Sequence, residues 1–170
     1  KGVIIAENKS DALISLNDIF SGKFGSAGNE VVIEEFLKGE EASFFVISDG
    51  KNFIPLTSAQ DHKRIGEGDT GLNTGGMGAY SPAPIMTEEL VEKTIKKIIE
   101  PTLKAMKDSD SPFIGILYAG LMIHKGEPKL IEYNVRFGDP ECQVIIPRLK
   151  NDLIDILINV KNQNLENFSI

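Results

Sequence analysis

The sequence predicts an α+β fold with mainly antiparallel strands in two groups. Three observations carry this reading. Apolar residues come in short β-branched and aromatic runs, such as Val3-Ile4-Ile5-Ala6 and Phe44-Phe45-Val46-Ile47. Two pairs of such runs are joined by hairpin-type turns, Asp49-Gly50 and Lys125-Gly126-Glu127-Pro128. Between the pairs lies one long amphipathic stretch, residues 88–106.

Taken in order, Val3-Ile4-Ile5-Ala6 reads as a buried strand. Ser10-Asp11 offers a helix cap, followed by Leu13, Leu16 and Phe20 at helical spacing and a stop at Gly22. Residues 23–29 form a Gly/Ser loop, and residues 31–37 read as a strand ending in the turn Lys38-Gly39. Residues 42–48 and 52–56 add two more strands. From 57 to 84 the periodicity disappears, and Gly66, Gly68, Gly71, Gly75, Gly76 and Gly78 sit among polar residues. So long an irregular stretch is usually functional or disordered. The interleaved Met77, Tyr80 and prolines disfavour disorder, while a surface loop without chemistry fits the same composition. In residues 88–106, acidic residues occupy the first turn, Val91, Ile95, Ile98 and Met106 share a face, and Pro101 should kink the helix. Residues 113–123 and 129–133 are strands, residues 142–149 and 153–160 are helices, and the tail after Lys161 is polar.

Composition bounds the function. The 170 residues carry 18 Lys+Arg against 25 Asp+Glu, a formal charge of −7, which argues against a general nucleic-acid binder. With 41% apolar residues the chain can build a real core. No apolar run approaches the roughly 20 residues of a membrane-spanning helix. Cys142 stands alone, which excludes an intrachain disulfide and a cysteine zinc cluster. The chain has no initiator Met and opens on Lys1-Gly2-Val3-Ile4-Ile5, which reads like the inside of a domain.

Gly66-Glu67-Gly68-Asp69-Thr70-Gly71 matches the G-x-G-x-x-G spelling of dinucleotide sites. That motif works only between a strand and a helix opening on its last glycine, and neither flank fits here. No P-loop sequence occurs. A Ser-His-Asp triad has only His62 and His124 to draw on, and no nucleophile-elbow sequence supports it.

The strongest constellation is Leu130-Ile131-Glu132-Tyr133-Asn134-Val135-Arg136. On a strand Glu132, Asn134 and Arg136 project together, away from Ile131, Tyr133 and Val135. A carboxylate beside an amide oxygen suits a hard cation such as Mg²⁺, and a guanidinium suits a phosphoryl or carboxylate oxygen. An exposed strand face whose Glu and Arg merely pair fits as well. Asp139 and Glu141 add two carboxylates beside the same strand end and favour a site. Around Glu34, Glu35, Leu37, Glu40 and Glu41, a strand running into a turn could read an adenine edge through its backbone, with a carboxylate on the ribose. A charged strand end that only aids solubility fits the same residues. In Gln60-Asp61-His62-Lys63-Arg64, cations precede a glycine-rich run whose bare amides can approach an anion.

Together these segments resemble the glycinamide ribonucleotide synthetase (phosphoribosylamine–glycine ligase) family of ATP-grasp enzymes. The likeness runs from residues 33–43 through 58–64, 69–84 and 117–122 to 131–141, and weakens after about Val160. The Glu-rich hinge and Glu-x-Asn are shared across ATP-grasp enzymes. The run Asn73-Thr74-Gly75-Gly76-Met77-Gly78-Ala79-Tyr80-Ser81-Pro82 is more particular to this family.

The resemblance implies an ATP-grasp fold of two α+β lobes with ATP between them. Residues 1–56 would be part of the small lobe, with lid and adenine hinge, and residues 57–170 the core lobe with the metal site. Lys1-Gly2-Val3 would close a phosphate-covering loop, so the chain is expected to be truncated at both ends. Glu34, Glu35, Leu37 and Glu41 would bind the nucleotide, Leu37 and Glu35 through backbone atoms and Glu41 at the ribose. Asp61, Lys63, Arg64, Gly75 and Gly76 would bind substrate. Glu132 and Asn134 would hold Mg²⁺ or Mn²⁺, with Arg136 at the transferred phosphoryl group. Many ATP-grasp enzymes carry a further acidic ligand on the preceding strand, where this chain has Ala119-Gly120-Leu121. The implied reaction joins glycine to 5-phosphoribosylamine in purine biosynthesis, in a cytoplasmic, monomeric protein without nucleic-acid or membrane partners. Two other readings compete: an ATP-grasp ligase for a different carboxylate, and a non-catalytic ATP-binding piece. The isolated 170 residues are expected to be inactive.

Overall fold

The computed structural model describes residues 3–68 and 70–168. Lys1, Gly2 and Asp69, which carry parts of the motifs above, lie outside the described residues. The chain divides into two compact units, Lys1–Leu37 and Lys38–Ile170.

The smaller unit is built on α1 (Lys9–Asp18). Its cap is Asn8, whose side chain accepts from the Asp11 amide at 3.0 Å, two positions before the expected Ser10. A π-helical turn follows at Ile19–Lys23 and is broken at Gly22, whose φ of 99° suits glycine. Among the described residues the expected strands at 3–6 and 31–37 do not form: neither segment belongs to a sheet. β-branched residues stabilise a strand by packing beside a neighbour, and no described strand lies beside these two. Val3, Val32 and Ile33 accordingly stand more than three-quarters exposed, at 85%, 83% and 80%.

The larger unit is organised by a four-stranded antiparallel sheet in the order β2-β1-β7-β8. Its strands are β1 (Glu40–Asp49), β2 (Phe53–Pro55), β7 (Ile114–His124) and β8 (Glu127–Asn134). β1 runs against β7 from Glu40↔Ile123 to Asp49↔Ile114, so residues 40–49 and 53–55 belong to this unit's sheet. The β7–β8 turn is Lys125-Gly126, both at positive φ. β8 carries a bulge: Glu132 pairs with Gly120 but Leu130 pairs with Leu121, leaving Ile131 extra.

β1 is buried on both faces, which explains its unbroken apolar run. On one face Ala42, Phe44, Val46, Leu117, Ala119 and Leu121 pack with Leu90, Ile98 and Ile99. The last three come from a helical arm made of α2 (Glu88–Thr94), a π-helical turn at Ile95–Ile99 and α3 (Glu100–Asp108). The expected disturbance at Pro101 takes the form of that π turn just before it, where a missing N–H interrupts the regular ladder. On the other face Phe45, Ile47 and Tyr118 pack with Ile145, Ile156, Val160 and Leu165. These are carried by α4 (Glu141–Ile145), α5 (Leu153–Lys161) and the 3₁₀ turn Leu165–Asn167. Each fully buried side chain such as Phe45 or Ile47 contributes roughly 1.5–3 kcal/mol.

The irregular stretch expected at 57–84 contains four short strands, which pair as two ribbons. β3 (Gln60–Asp61) pairs with β6 (Ala79–Tyr80), and β4 (Arg64–Gly66) pairs with β5 (Thr70–Asn73). They are too short and too polar to show a hydrophobic period. Mutual hydrogen bonds between Ser43 and Ala59 tie this stretch to β1. Among the described residues no helix is long and apolar enough to cross a membrane.

Candidate active site

The C-terminal end of β8 puts Glu132 and Asn134 on one face, as their alternation predicts, and Arg136, in the bend that follows, reaches back to them. Asn134 Nδ2 donates to Glu132 Oε1 at 3.2 Å, and Arg136 Nη2 donates to Asn134 Oδ1 at 3.3 Å. Arg136 Nη1 also donates to the Phe137 carbonyl at 2.8 Å, which holds the guanidinium near the strand. Tyr133 turns to the opposite face and shares a 2.6 Å hydrogen bond with Thr102 of α3. The Ile131 bulge sets this phase, because it lets Leu130 and Tyr133 both face the helical arm.

A carboxylate oxygen and an amide oxygen at a partly exposed strand end fit a hard divalent cation that keeps water and phosphate oxygens in its shell. Among the described residues no group of three or more His, Cys, Asp or Glu could hold a metal ion. Gly120 stands directly across from Glu132, on the strand where the family resemblance would allow an extra acid. The donor set therefore suits a shared ion, and it does not form a closed protein cage.

A buried polar cluster adjoins this strand end. The Glu141 carboxylate, 2% exposed, accepts from Tyr118 Oη at 2.7 Å and from Ser43 Oγ at 3.0 Å. Ser43 and Tyr118 also share a 2.8 Å hydrogen bond. Burial pushes the Tyr118 hydroxyl far above its ordinary ionisation range, and the Glu141 charge adds to it. Asp139 and Glu141, one motif in sequence, part company: Asp139 is exposed and accepts from Gln143 Nε2 at 2.8 Å, while Glu141 turns inward.

The segment 61–64 is also split. Lys63 forms an ion pair with Glu41, on the same sheet face as Ser43. Arg64 instead donates to the Gly71 carbonyl at 3.1 Å within the β4–β5 ribbon. Burial pushes the Asp61 carboxyl up, and the charges of Glu141 and Glu41 push the same way against the pull of Lys63. Burial pulls Lys63 down, but the Glu41 hydrogen bond and the surrounding carboxylates hold it above its ordinary value.

The glycine-rich run lies against these groups. Thr74 N and Oγ1 donate to the Lys63 carbonyl at 2.7 and 2.8 Å, and the Gly76 amide donates to Thr74 Oγ1 at 3.1 Å. Gly76 has a φ of 128°, and a Cβ there would lie 2.5 Å from Pro140 Cδ. Gly75 adjoins it with open space where a Cβ would be.

Glu34, Glu35 and Leu37 lie in the smaller unit, in a stretch without regular secondary structure, with Glu34 and Glu35 exposed and Leu37 half-buried. Glu41 opens β1 in the larger unit. The structure thus brings Glu41, Asp61 and Lys63 together, and joins Gly76 to the corner after Arg136. Ser43, Tyr118 and Glu141 enter as a linked set that sequence spacing did not reveal, because they are 75 and 23 residues apart along the chain. Two cavities of about 370 and 450 Å³ lie elsewhere, one beside Thr87 and His124 and one along α3 beside Tyr133. Neither is lined by these residues.

The family model for the phosphoribosylglycinamide synthetase ATP-grasp (A) domain matches residues 1–142. A phosphoribosylamine–glycine ligase of Rhizobium meliloti is 58% identical over 166 residues, covering 98% of this chain and 39% of that protein. A chloroplastic phosphoribosylamine–glycine ligase of Arabidopsis thaliana is 56% identical over 173 residues, covering 100% of this chain and 32% of that protein. The chain thus spans two-fifths or less of the length of these relatives. A crystal structure of phosphoribosylamine–glycine ligase from Thermotoga maritima superposes with a TM-score of 0.84 at 34% identity, covering 96% of this chain and 41% of that one. A biotin carboxylase complex from Campylobacter jejuni shares the fold, with a TM-score of 0.66 at 19% identity over 100% of this chain and 35% of that one. The α+β architecture is accordingly an ATP-grasp fold, and the chain belongs to the phosphoribosylglycinamide synthetase ATP-grasp domain family.

Proposed function

We propose that this chain supplies the ATP-grasp part of a ligase that joins glycine to 5-phosphoribosylamine in purine biosynthesis. The observation that carries the proposal is the hydrogen-bonded row Glu132–Asn134–Arg136 at the end of β8. A carboxylate, an amide oxygen and a guanidinium in series match the needs of phosphoryl transfer, which depends on positioning and charge neutralisation. The names of the relatives supply the substrates, and the support is strongest for the ATP-grasp role itself.

In this proposal the glycine carboxylate oxygen attacks the γ-phosphorus of ATP, forming glycyl phosphate and releasing ADP. The ribosylamine nitrogen then attacks the glycyl carbonyl carbon, loses a proton and expels phosphate. Glu132 and Asn134 would hold Mg²⁺ or Mn²⁺, which when bound offsets phosphate charge. Arg136 neutralises the transferred phosphoryl oxygens. Lys63 and Arg64, with the amides of Gly75 and Gly76, bind anionic substrate oxygens, and Asp61 orients the amine. The glycine-rich segment keeps the acyl phosphate from water, since hydrolysis competes with ligation.

Glu34, Glu35 and Leu37 are assigned to the adenine and Glu41 to the ribose. The proposed enzyme works as a monomer, in the cytoplasm.

The test is ADP release by the whole protein with glycine and 5-phosphoribosylamine, run beside other carboxylates and amines. Turnover that requires both named substrates is expected, and a preference for another pair would overturn the assignment. Glu132→Ala should abolish turnover while leaving the fold intact, because Glu132 is exposed. Retained activity would remove the metal assignment. For the 170-residue chain alone, calorimetry should show ATP·Mg²⁺ binding without turnover.

A further inference from the structure

We infer that Glu141 is a positioning residue for the glycine-rich substrate segment, holding the corner at Gly138-Asp139-Pro140 on which Gly76 rests. The inference depends on the proposed ligase reading, which places Gly75, Gly76 and Lys63 at the acid substrate.

Glu141 cannot reach a ligand directly: it is 2% exposed, and Oε1 is engaged by the hydroxyls of both Tyr118 and Ser43. A buried carboxylate costs stability unless its oxygens are satisfied, and here two hydroxyls donate to Oε1. An apolar side chain could fill the same volume without that cost. The carboxylate does something an apolar group would not: it hydrogen-bonds the first residue of α4 to Ser43 of β1 and Tyr118 of β7.

The consequences run outward through close contacts. A Cβ at Gly138 would lie 2.2 Å from Glu141 Oε2, so the turn leading out of β8 closes directly over the carboxylate. Pro140, adjoining Glu141, is the atom group against which Gly76 has no room for a Cβ. Gly76 is hydrogen-bonded to Thr74, and Thr74 holds the Lys63 carbonyl twice. The path from Ser43 and Tyr118 to Glu141, Pro140, Gly76, Thr74 and Lys63 is therefore continuous.

Glu132 and Asn134 are set differently. β8 pairs them with Gly120 and Tyr118 through the sheet ladder, which does not need the Glu141 charge. Loss of that charge should disturb the acid-substrate side and spare the nucleotide–metal side.

The experiment is steady-state ADP release by the whole protein, with glycine and ATP varied separately, for wild type, Glu141→Gln and Tyr118→Phe. The expected result is a rise in KM for glycine of about tenfold or more in Glu141→Gln and about threefold in Tyr118→Phe, with KM for ATP within about twofold. Both KM values moving together, or neither moving, would overturn the inference. If Glu141→Gln does not fold, Tyr118→Phe alone decides by the same split. Wild type without glycine-dependent turnover overturns the ligase reading and this inference with it, whereas an active wild type with unsplit variants overturns this inference alone.

Discussion

Lys63 forms an ion pair with Glu41, 22 residues earlier in the chain, at the edge of the site face. The pair joins a residue assigned to the nucleotide ribose with one assigned to the acid substrate. Both side chains are about two-fifths exposed, at 39% and 44%, so the pair adds little to stability.

Lys63→Met should therefore change unfolding free energy by less than about 1 kcal/mol. Ligase turnover should nevertheless fall by about tenfold or more, the loss of one charge-assisted contact of roughly 1.5–3 kcal/mol. Urea unfolding and ADP release on the same preparation check the two halves. Unchanged turnover would remove Lys63 from the site.

Arg136→Lys keeps the charge but loses the planar fork that spans the Phe137 carbonyl and the Asn134 side chain. We expect kcat to fall by roughly ten- to a hundredfold, with thermal stability unchanged because Arg136 is exposed. Equal kcat for the two proteins would argue against a role at the phosphoryl group.

Asp49 is fully buried and its carboxylate accepts the amides of Lys51, Asn52 and Leu165 at 2.8, 2.7 and 3.0 Å. Burial alone would raise its carboxyl, but the three amides together hold it below the ordinary value of 3.8. A depressed folded-state value stabilises the protein above the unfolded value, and the gain is lost as pH falls through the folded one. Asp49→Ala should cost about 3 kcal/mol at neutral pH. The stability gap between wild type and Asp49→Asn should stay constant near neutrality and narrow below about pH 4. Denaturant titrations across that range test both statements.

Asp61 has the opposite sign, because its folded-state carboxyl lies above its ordinary value. Its ionisation therefore costs stability, increasingly as pH rises from the unfolded through the folded value. Asp61→Asn should be more stable than wild type at pH 7, with the advantage vanishing in acid, and less active if the carboxylate orients the amine. A variant that is less stable at neutral pH would contradict this electrostatic account.

Much of the fold was legible because its signals are local. The run of residues 42–48, the Asp49-Gly50 and Lys125-Gly126 turns and the helical face at 88–106 each reflect short-range preferences that the sheet and helical arm satisfy. The same logic failed at 3–6 and 31–37, where strand-forming residues meet no partner strand among the described residues. It also missed β3 to β6, whose pairing rests on backbone bonds between polar residues. At the site, two-residue alternation anticipated that Glu132 and Asn134 share a face, because a strand imposes that spacing on any sequence. Arg136 instead lies in the bend after β8 and joins them by its hydrogen bond to Asn134.

By itself, then, the sequence determined which side chains share a strand face, where the hairpins turn, and which family the motifs resemble. Only the tertiary structure decided that Asp139 faces solvent while Glu141 is buried against Ser43 and Tyr118, that Lys63 turns to Glu41 while Arg64 turns away, and that Gly76 rests on Pro140. Those outcomes depend on contacts between residues far apart in the chain, formed when β1 and β7 pair and α4 folds onto them. No spacing rule within one segment encodes such contacts.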